Sequence, residues 1–301
     1  MYQWDFKKRV LILGGVMLSA LLVWVTPLLN NGDFDLSALG IEAFGSPATT
    51  LSVTFLDVGQ GDAILIETPD GVQALIDGGP DMAVLRELGA TLPWFDRTID
   101  LVLGTHPDKD HIGGLIDVLK RYQVRTIITT ENTGETTTAS AYRKGLIQEG
   151  AEVVMARAGQ VYQLGASTTL TIFSPASDPS MLETNTASIV AKLSYGEIDF
   201  MLTGDAPAGI ERYLTAAYGK ALASEVLKLG HHGSKTSSSE EFLTAVAPQY
   251  AVVSAGKDNR YGHPAVDVVE RLLTHKIPLV STIESGRITF ETDGVQVWLR
   301  E

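Results

Sequence analysis

Five of the six histidines in this 301-residue chain fall in three short segments, each accompanied by carboxylates or glycines. The densest reads Thr105-His106-Pro107-Asp108-Lys109-Asp110-His111-Ile112-Gly113-Gly114. His106, Asp108, Asp110 and His111 crowd two imidazoles and two carboxylates together just after the apolar run Leu101-Val102-Leu103. Buried carboxylates must be paired or bound to a metal, and such a cluster on a solvated turn would repel itself. A metal site is the simplest physical explanation. Further candidate ligands recur downstream: Asp205 in Leu202-Thr203-Gly204-Asp205, His231 and His232 in Gly230-His231-His232-Gly233-Ser234, and His263 in Tyr261-Gly262-His263-Pro264. Taken singly, Asp205 also reads as a helix N-cap ahead of Ala206-Pro207, and His231 or His232 as a structural histidine. Ser234-Lys235-Thr236-Ser237-Ser238-Ser239 places hydroxyls and a cation at an expected helix N-terminus, which suits a phosphate cradle or a capped surface loop. His275 sits near an expected helix end and reads as structural.

Each candidate must be aimed by a rigid element, and the apolar pattern supplies them. Leu51–Asp57 alternates and is β-branched, Ala63–Glu67 and Val72–Ile76 follow across tight glycine turns, and the three read as antiparallel strands. Helices and strands then alternate. Helices are expected over 82–88, 111–122, 139–149, 208–217, 239–246 and 265–273, and strands near 126–129, 169–173, 188–194, 200–203, 226–229 and 250–254. The tail around Asp293-Gly294 reads as a hairpin. Every candidate ligand segment follows an apolar strand, where one edge of a sheet can converge several side chains on one point.

Composition narrows the function. With 45% hydrophobic residues the chain can build a sizeable core. A net charge of -13 and a pI near 4.9 leave no global basic footprint for nucleic acid. With no cysteine, disulfides, thiolate metal sites and cysteine nucleophiles are excluded. Lys7-Lys8-Arg9 precedes an apolar run from Val10 to Val25 that extends toward Leu29, with no convincing small-residue cleavage site after it. An uncleaved signal anchor is expected, its N-terminus cytoplasmic and the remainder extracytoplasmic. The expected organisation is a stub and anchor over 1–29, a linker over 30–50 and a catalytic domain over 51–301.

These pieces, with Asp57-Val58-Gly59-Gln60-Gly61-Asp62 and Ile76-Asp77-Gly78-Gly79, resemble the metallo-β-lactamase fold, whose signature is HxHxDH after a strand. They resemble in particular the subgroup at the C-terminus of ComEC-type competence proteins, which work in DNA uptake. The resemblance implies an α+β fold, a four-layer αββα sandwich, here preceded by one transmembrane helix. It implies two divalent metal ions, with His106 and Asp108 on one, Asp110 and His111 on the other, Asp205 bridging and His231 as a further ligand. Asp57, Gln60, Asp62 and Asp77 would be supporting residues. Two departures stand out: Asp108 replaces the second histidine of the signature, and Asn185 replaces a later one, as a weak ligand or a substrate hydrogen-bonder. Both exchange imidazole for oxygen, which favours Mn²⁺ or Mg²⁺ over Zn²⁺. A two-cation site suits in-line displacement at a phosphodiester, with Asp110 in the catalytic set, His263 then His232 as candidate proton donors to the leaving oxygen, and Ser234 and Lys235 on the phosphate. The leading expectation is a membrane-anchored extracytoplasmic phosphodiesterase or nuclease, held by residues 10–28, with DNA as substrate and a separate uptake channel as partner. The alternatives are hydrolysis of a cell-wall or lipid phosphodiester or a lactone, and a non-catalytic subunit of an uptake complex.

Overall fold

The computed structural model describes residues 50–300. The expected anchor and nearly all of the expected linker lie outside these residues, and no helix among the described residues is long and apolar enough to cross a membrane. Among the described residues, fifteen strands form two sheets. The first holds β1 (Leu51–Phe55), β2 (Ile64–Glu67), β3 (Gln73–Ile76), β4 (Thr98–Leu103), β5 (Gln123–Thr129), β6 (Glu152–Met155), β14 (Ile288–Thr292) and β15 (Val297–Leu299). Its spatial order is β15-β14-β1-β2-β3-β4-β5-β6. The second holds β7 (Val161–Leu164), β8 (Thr168–Ser174), β9 (Val190–Tyr195), β10 (Ile198–Leu202), β11 (Val226–Lys228), β12 (Tyr250–Val253) and β13 (Leu279–Ser281), in order β13-β12-β11-β10-β9-β8-β7.

The strands alternate between two apolar environments, and this alternation sets the layers. Val53, Phe55, Ile64, Ile66, Leu103, Leu193, Phe200 and Leu202 belong to one core between the sheets. Phe290 on β14 meets both Phe55 and Phe200 edge-on, with ring centroids 6.2 and 6.3 Å apart. The intervening residues Leu65, Leu75, Val102 and Ile127 face the other way. They pack against helices α1 (Ala83–Thr91), α2 (Lys109–Ile112), α3 (Leu115–Arg121) and α4 (Thr137–Glu149). On the second sheet, Met201, Leu227, Ala251 and Val253 meet α5 (Ala208–Tyr218), α6 (Glu240–Val246) and α7 (Val266–Thr274). A short helix, α8 (Thr282–Ser285), follows β13. Helix, sheet, sheet and helix therefore stack in four layers, and strands buried on both faces read as continuous apolar runs.

Two parallel runs position the chemistry. β3, β4, β5 and β6 are mutually parallel, as are β10, β11, β12 and β13. The segments after β3, β4, β10, β11 and β12 carry Asp77, His106–His111, Asp205, His231–His232 and His263, so the candidates sit at carboxyl ends of parallel strands.

One expected element breaks in two. The helix expected over 111–122 is α2 and α3, separated at Gly113-Gly114. The break has a hydrogen-bonding cause: Asp62 N–H donates to the Asp110 carbonyl, Gly78 N–H to that of His111, and Gly114 N–H to that of Gly79. Carbonyls that would continue the helix are spent fixing the turns that carry Asp62 and Asp77.

Candidate metal centre

Asp77 is the first anchor of the site. It is buried, and its carboxylate accepts from Thr105 N–H (2.8 Å) and Thr105 Oγ1 (2.7 Å). Its Oδ2 also lies 2.7 Å from Nδ1 of the fully buried His111. A carboxylate on Nδ1 fixes the ring and leaves Nε2 as the free ligating atom. Nε2 of His111 faces Asp205, 3.2 Å from Oδ1. His106 is held likewise, with Thr105 Oγ1 3.0 Å from its Nδ1, and its Nε2 lies 3.7 Å from Asp108 Oδ2 and 3.9 Å from Asp205 Oδ2.

His232 repeats the arrangement from the second sheet. Its Nδ1 is 2.9 Å from the Ser254 carbonyl and 3.3 Å from Asp62 Oδ1. Its Nε2 lies 3.3 Å from Asp110 Oδ2 and 3.7 Å from Asp205 Oδ2. The other oxygen of Asp62 is held by Lys228 Nζ, and Lys228 is wholly buried. Asp62, His111, Asp205 and His232 all offer ligand atoms within 4.8 Å of one another. We read Asp62 as the carboxylate that orients His232: Lys228 holds one of its oxygens, and the other, 3.3 Å from the ring Nδ1, is buried with no hydrogen-bond partner. His231 is half-buried, with Nε2 3.8 Å from Asp205 Oδ2 and Nδ1 3.4 Å from Asn185 Nδ2. Asp77, His231 and His232 all adopt positive φ, at 58°, 50° and 53°. That conformation is costly for non-glycine residues and tends to cluster at functional sites.

The donor set fits divalent metal. Nε2 of His106, His111 and His232 and Oδ1 of Asp205 are buried without hydrogen-bond partners. Four such atoms facing one centre would be costly in a purely structural site. They match the atoms by which imidazole and carboxylate bind cations. Asp108, Asp110, Asp205, His231, His232, His263, Gln60 and Tyr261 line a polar cavity of about 150 Å³ over this centre. A larger, mainly apolar cavity of about 470 Å³, walled by Tyr142, Leu146 and Met155, meets the centre only at His106. The converging polar atoms put the chemistry in the smaller one.

Charge is distributed unevenly among the rings. Burial, aided by the adjacent His111, pushes His106 down to about 3. Burial works in the same direction on His232 and His111, but carboxylates overcome it. Asp205 and Asp62 raise His232 to about 9, and Asp205 and Asp77 hold His111 well above its ordinary value. Conversely, burial opposes the charge of Asp205, yet His111 and His232 hold its carboxyl well below the usual range. Burial raises Asp108. It lowers His263, with His232 and His231 acting in the same direction.

The structure thus gathers His106, Asp108, Asp110, His111, Asp205, His231 and His232 around one centre, with His263 on the wall of the polar cavity and Asn185 beside His231. Asp77 and Asp62 support two of the rings, Gln60 accepts from Gly256 N–H (3.2 Å), and Asp57 accepts from Gly59 N–H within its own turn (3.2 Å). The candidate second proton donor His232 has its Nδ1 on the Ser254 carbonyl, and its Nε2 faces Asp110 and Asp205 inside the cluster. Of the two readings of the segment at the next helix, the backbone contacts match the capped loop. Ser238 and Ser239 N–H donate to the buried Glu211 carboxylate (2.6 and 2.8 Å), Ser234 Oγ bonds Thr236 Oγ1 (3.0 Å), and Lys235 is exposed. His275 pairs with Glu240, in keeping with a structural role. Lys228, Thr105 and Ser254 escaped the sequence reading. Only a lysine inside the apolar run Val226–Leu229 could have signalled Lys228.

Comparison with known proteins agrees. A family model described as the metallo-beta-lactamase superfamily matches residues 56–257. ComE operon protein 3 of Bacillus subtilis (strain 168) is 28% identical over 260 residues, covering 79% of this chain and 32% of that protein. Competence protein ComA of Neisseria gonorrhoeae is 33% identical, covering 81% and 33%. Recombination protein 2 of Haemophilus influenzae is 34% identical, covering 82% and 30%. The chain spans about a third of the length of these relatives. Among solved structures, the metallo-beta-lactamase fold protein YhfI from Bacillus subtilis superposes with a TM-score of 0.52 at 14% identity, covering 83% of this chain and 99% of that one. CmlA, a diiron beta-hydroxylase from Streptomyces venezuelae, superposes at 0.53 with 16% identity, covering 79% and 53%. At such identities the likeness is one of fold. The family match takes in the segments from Leu56 through His232, and with it this chain belongs to the metallo-beta-lactamase superfamily.

Proposed function

We propose that this chain is a two-metal phosphodiesterase that cleaves DNA, tethered by residues 10–28 with its catalytic domain on the extracytoplasmic side. One observation carries the reading: unpartnered Nε2 atoms of His106, His111 and His232 converge on Asp205, beside a small polar cavity that Asp205 and His232 line. His106 and Asp108 would hold one cation and Asp110, His111 and His232 the other, with Asp205 between them and His231 at the rim. Cations bound there would neutralise a phosphodiester and activate water for in-line attack. Asp108, Asp110 and Asp205 supply hard oxygen ligands beside the imidazoles, which favours Mn²⁺, then Mg²⁺, over Zn²⁺. His263, which lines the cavity, would give a proton to the leaving oxygen. The names of the relatives, a competence protein and a recombination protein among them, support DNA as substrate and an uptake channel as partner. The basic Lys7-Lys8-Arg9 ahead of the apolar run supports the orientation.

The test is cleavage of end-labelled single- and double-stranded DNA by the full chain with Mn²⁺. Asp110→Ala should lose more than the roughly ten- to hundredfold that outer-shell changes cost, and chelation should abolish cleavage. Folded, metal-loaded protein that cuts neither DNA sends the assignment to cell-wall or lipid phosphodiesters.

A further inference from the structure

The loop after β12 presents an aromatic ring that the chemistry above leaves unused. Tyr261 is 58% exposed, yet it borders the polar cavity beside Gln60 and His263. Its ring stacks on His263, with centroids 5.6 Å apart and planes 23° apart. The Arg260 guanidinium carbon stands 5.3 Å from the ring centroid, and Arg260 Nη2 donates to the Tyr261 hydroxyl (3.3 Å). The loop is pinned at both ends to the site. Gly256 N–H donates to Gln60 Oε1 (3.2 Å), and Ala265 N–H to the Gly233 carbonyl (2.8 Å). Across it, Asn259 Nδ2 donates to the carbonyls of Gly256 and His263, and Asn259 Oδ1 accepts from His263 N–H, each at 2.8 Å. An exposed aromatic on a braced loop is pre-organised for a planar ligand.

We infer that Tyr261, flanked by Arg260, is a stacking platform for a nucleobase next to the scissile phosphate, so the site takes an unpaired strand. This rests on the nuclease reading and deepens it. Tyr261 lines this cavity yet is mostly exposed, so a phosphate seated over the metal-facing residues would bring its adjoining base to that ring. Base–aromatic stacking tolerates any sequence, and a neighbouring guanidinium adds to it. A base inside a duplex is stacked on its neighbours and reaches such a ring only by leaving the helix. The loop also carries Lys257 and Arg260, two cations in a chain of net charge -13.

The full chain loaded with Mn²⁺ is assayed on single-stranded oligonucleotides, on the same strands with one nucleoside replaced by an abasic tetrahydrofuran spacer, on a strand built wholly of such spacers, which has no base, and on bis-p-nitrophenyl phosphate as a generic phosphodiester. Tyr261→Ala should lower kcat/KM for the oligonucleotide, relative to the all-spacer strand, by about tenfold. Tyr261→Phe, which keeps the ring, should restore the ratio. A spacer at one position beside the cut should cost the wild type a similar factor, and Tyr261→Ala should lose nothing more on that strand. Equal losses on the oligonucleotide and the all-spacer strand, or losses from variant and spacer that multiply, overturn the platform and make Tyr261 a support for His263. Hydrolysis of bis-p-nitrophenyl phosphate with no DNA cleavage by the wild type overturns the nuclease reading and the platform together.

Discussion

Each metal-facing imidazole is aimed by an oxygen on its other nitrogen: Asp77 for His111, Thr105 for His106, Ser254 and Asp62 for His232. The His232 chain extends one residue further, to the buried Lys228. Lys228→Met would strand the Asp62 carboxylate without its cation, a change that costs about 3–5 kcal/mol in a buried pair. A lower urea midpoint for Lys228→Met is therefore expected, with much of the loss recovered in Lys228→Met/Asp62→Asn, where no charge is stranded. The double variant should also bind Mn²⁺ some ten- to hundredfold more weakly, since His232 loses its orienting carboxylate. If the single variant is as stable as wild type, Asp62 and Lys228 are not an ion pair. Little of this was legible in the sequence. Adjacent histidines look equivalent there, and which of His231 and His232 turns inward depends on backbone at positive φ that no periodicity reveals. His106, Asp110 and His111 were legible because several ligand types followed one strand.

The elements were read best where burial is one-sided or complete. β1 to β3, the strands from β8 to β12 and the C-terminal hairpin carry enough apolar residues to declare themselves. β6 and β7 did not, because Glu152–Met155 and Val161–Leu164 lie mostly exposed at sheet edges and lack a buried face. The split between α2 and α3 was hidden because glycine in a helical pattern does not announce a backbone neighbour. A Cβ at Gly114 would lie 2.0 Å from the Gly78 carbonyl oxygen and 2.4 Å from that of Asp81. Gly89 in α1, by contrast, has nothing within 4 Å of that position. Gly89→Ala should stabilise the fold by about 0.5–1 kcal/mol. Gly114→Ala should destabilise it and weaken metal binding together, because the turn it presses on adjoins Asp77, whose carboxylate orients His111. Thermal unfolding of the two variants checks this: a neutral Gly114→Ala would mean that the 78–81 turn yields freely and does not hold the site.

Across the whole molecule, protons and cations compete for the same buried atoms. Without metal, His232 is raised to about 9 and His111 lies well above its ordinary value, while His106 falls to about 3. A histidine raised by folding adds stability that is complete below its unfolded value near 6.5 and lost as pH climbs through the folded value. A lowered one acts oppositely, so His106 penalises the fold as pH drops from about 6.5 toward 3. The metal-free protein should therefore be most stable close to pH 6.5 and weaken steadily toward pH 9, where the protons that offset Asp62, Asp110 and Asp205 depart. A divalent cation takes over that neutralising role by displacing those protons, so its affinity rises over the same interval. Melting the protein with Mn²⁺ and with excess chelator at pH 6, 7.5 and 9 should show the gap in Tm widening with pH. Calorimetric titration at pH 7.5 in buffers of differing ionisation enthalpy should register proton release on binding. A gap that stays constant or narrows would show that the cation binds elsewhere than on the Nε2 atoms of His111 and His232.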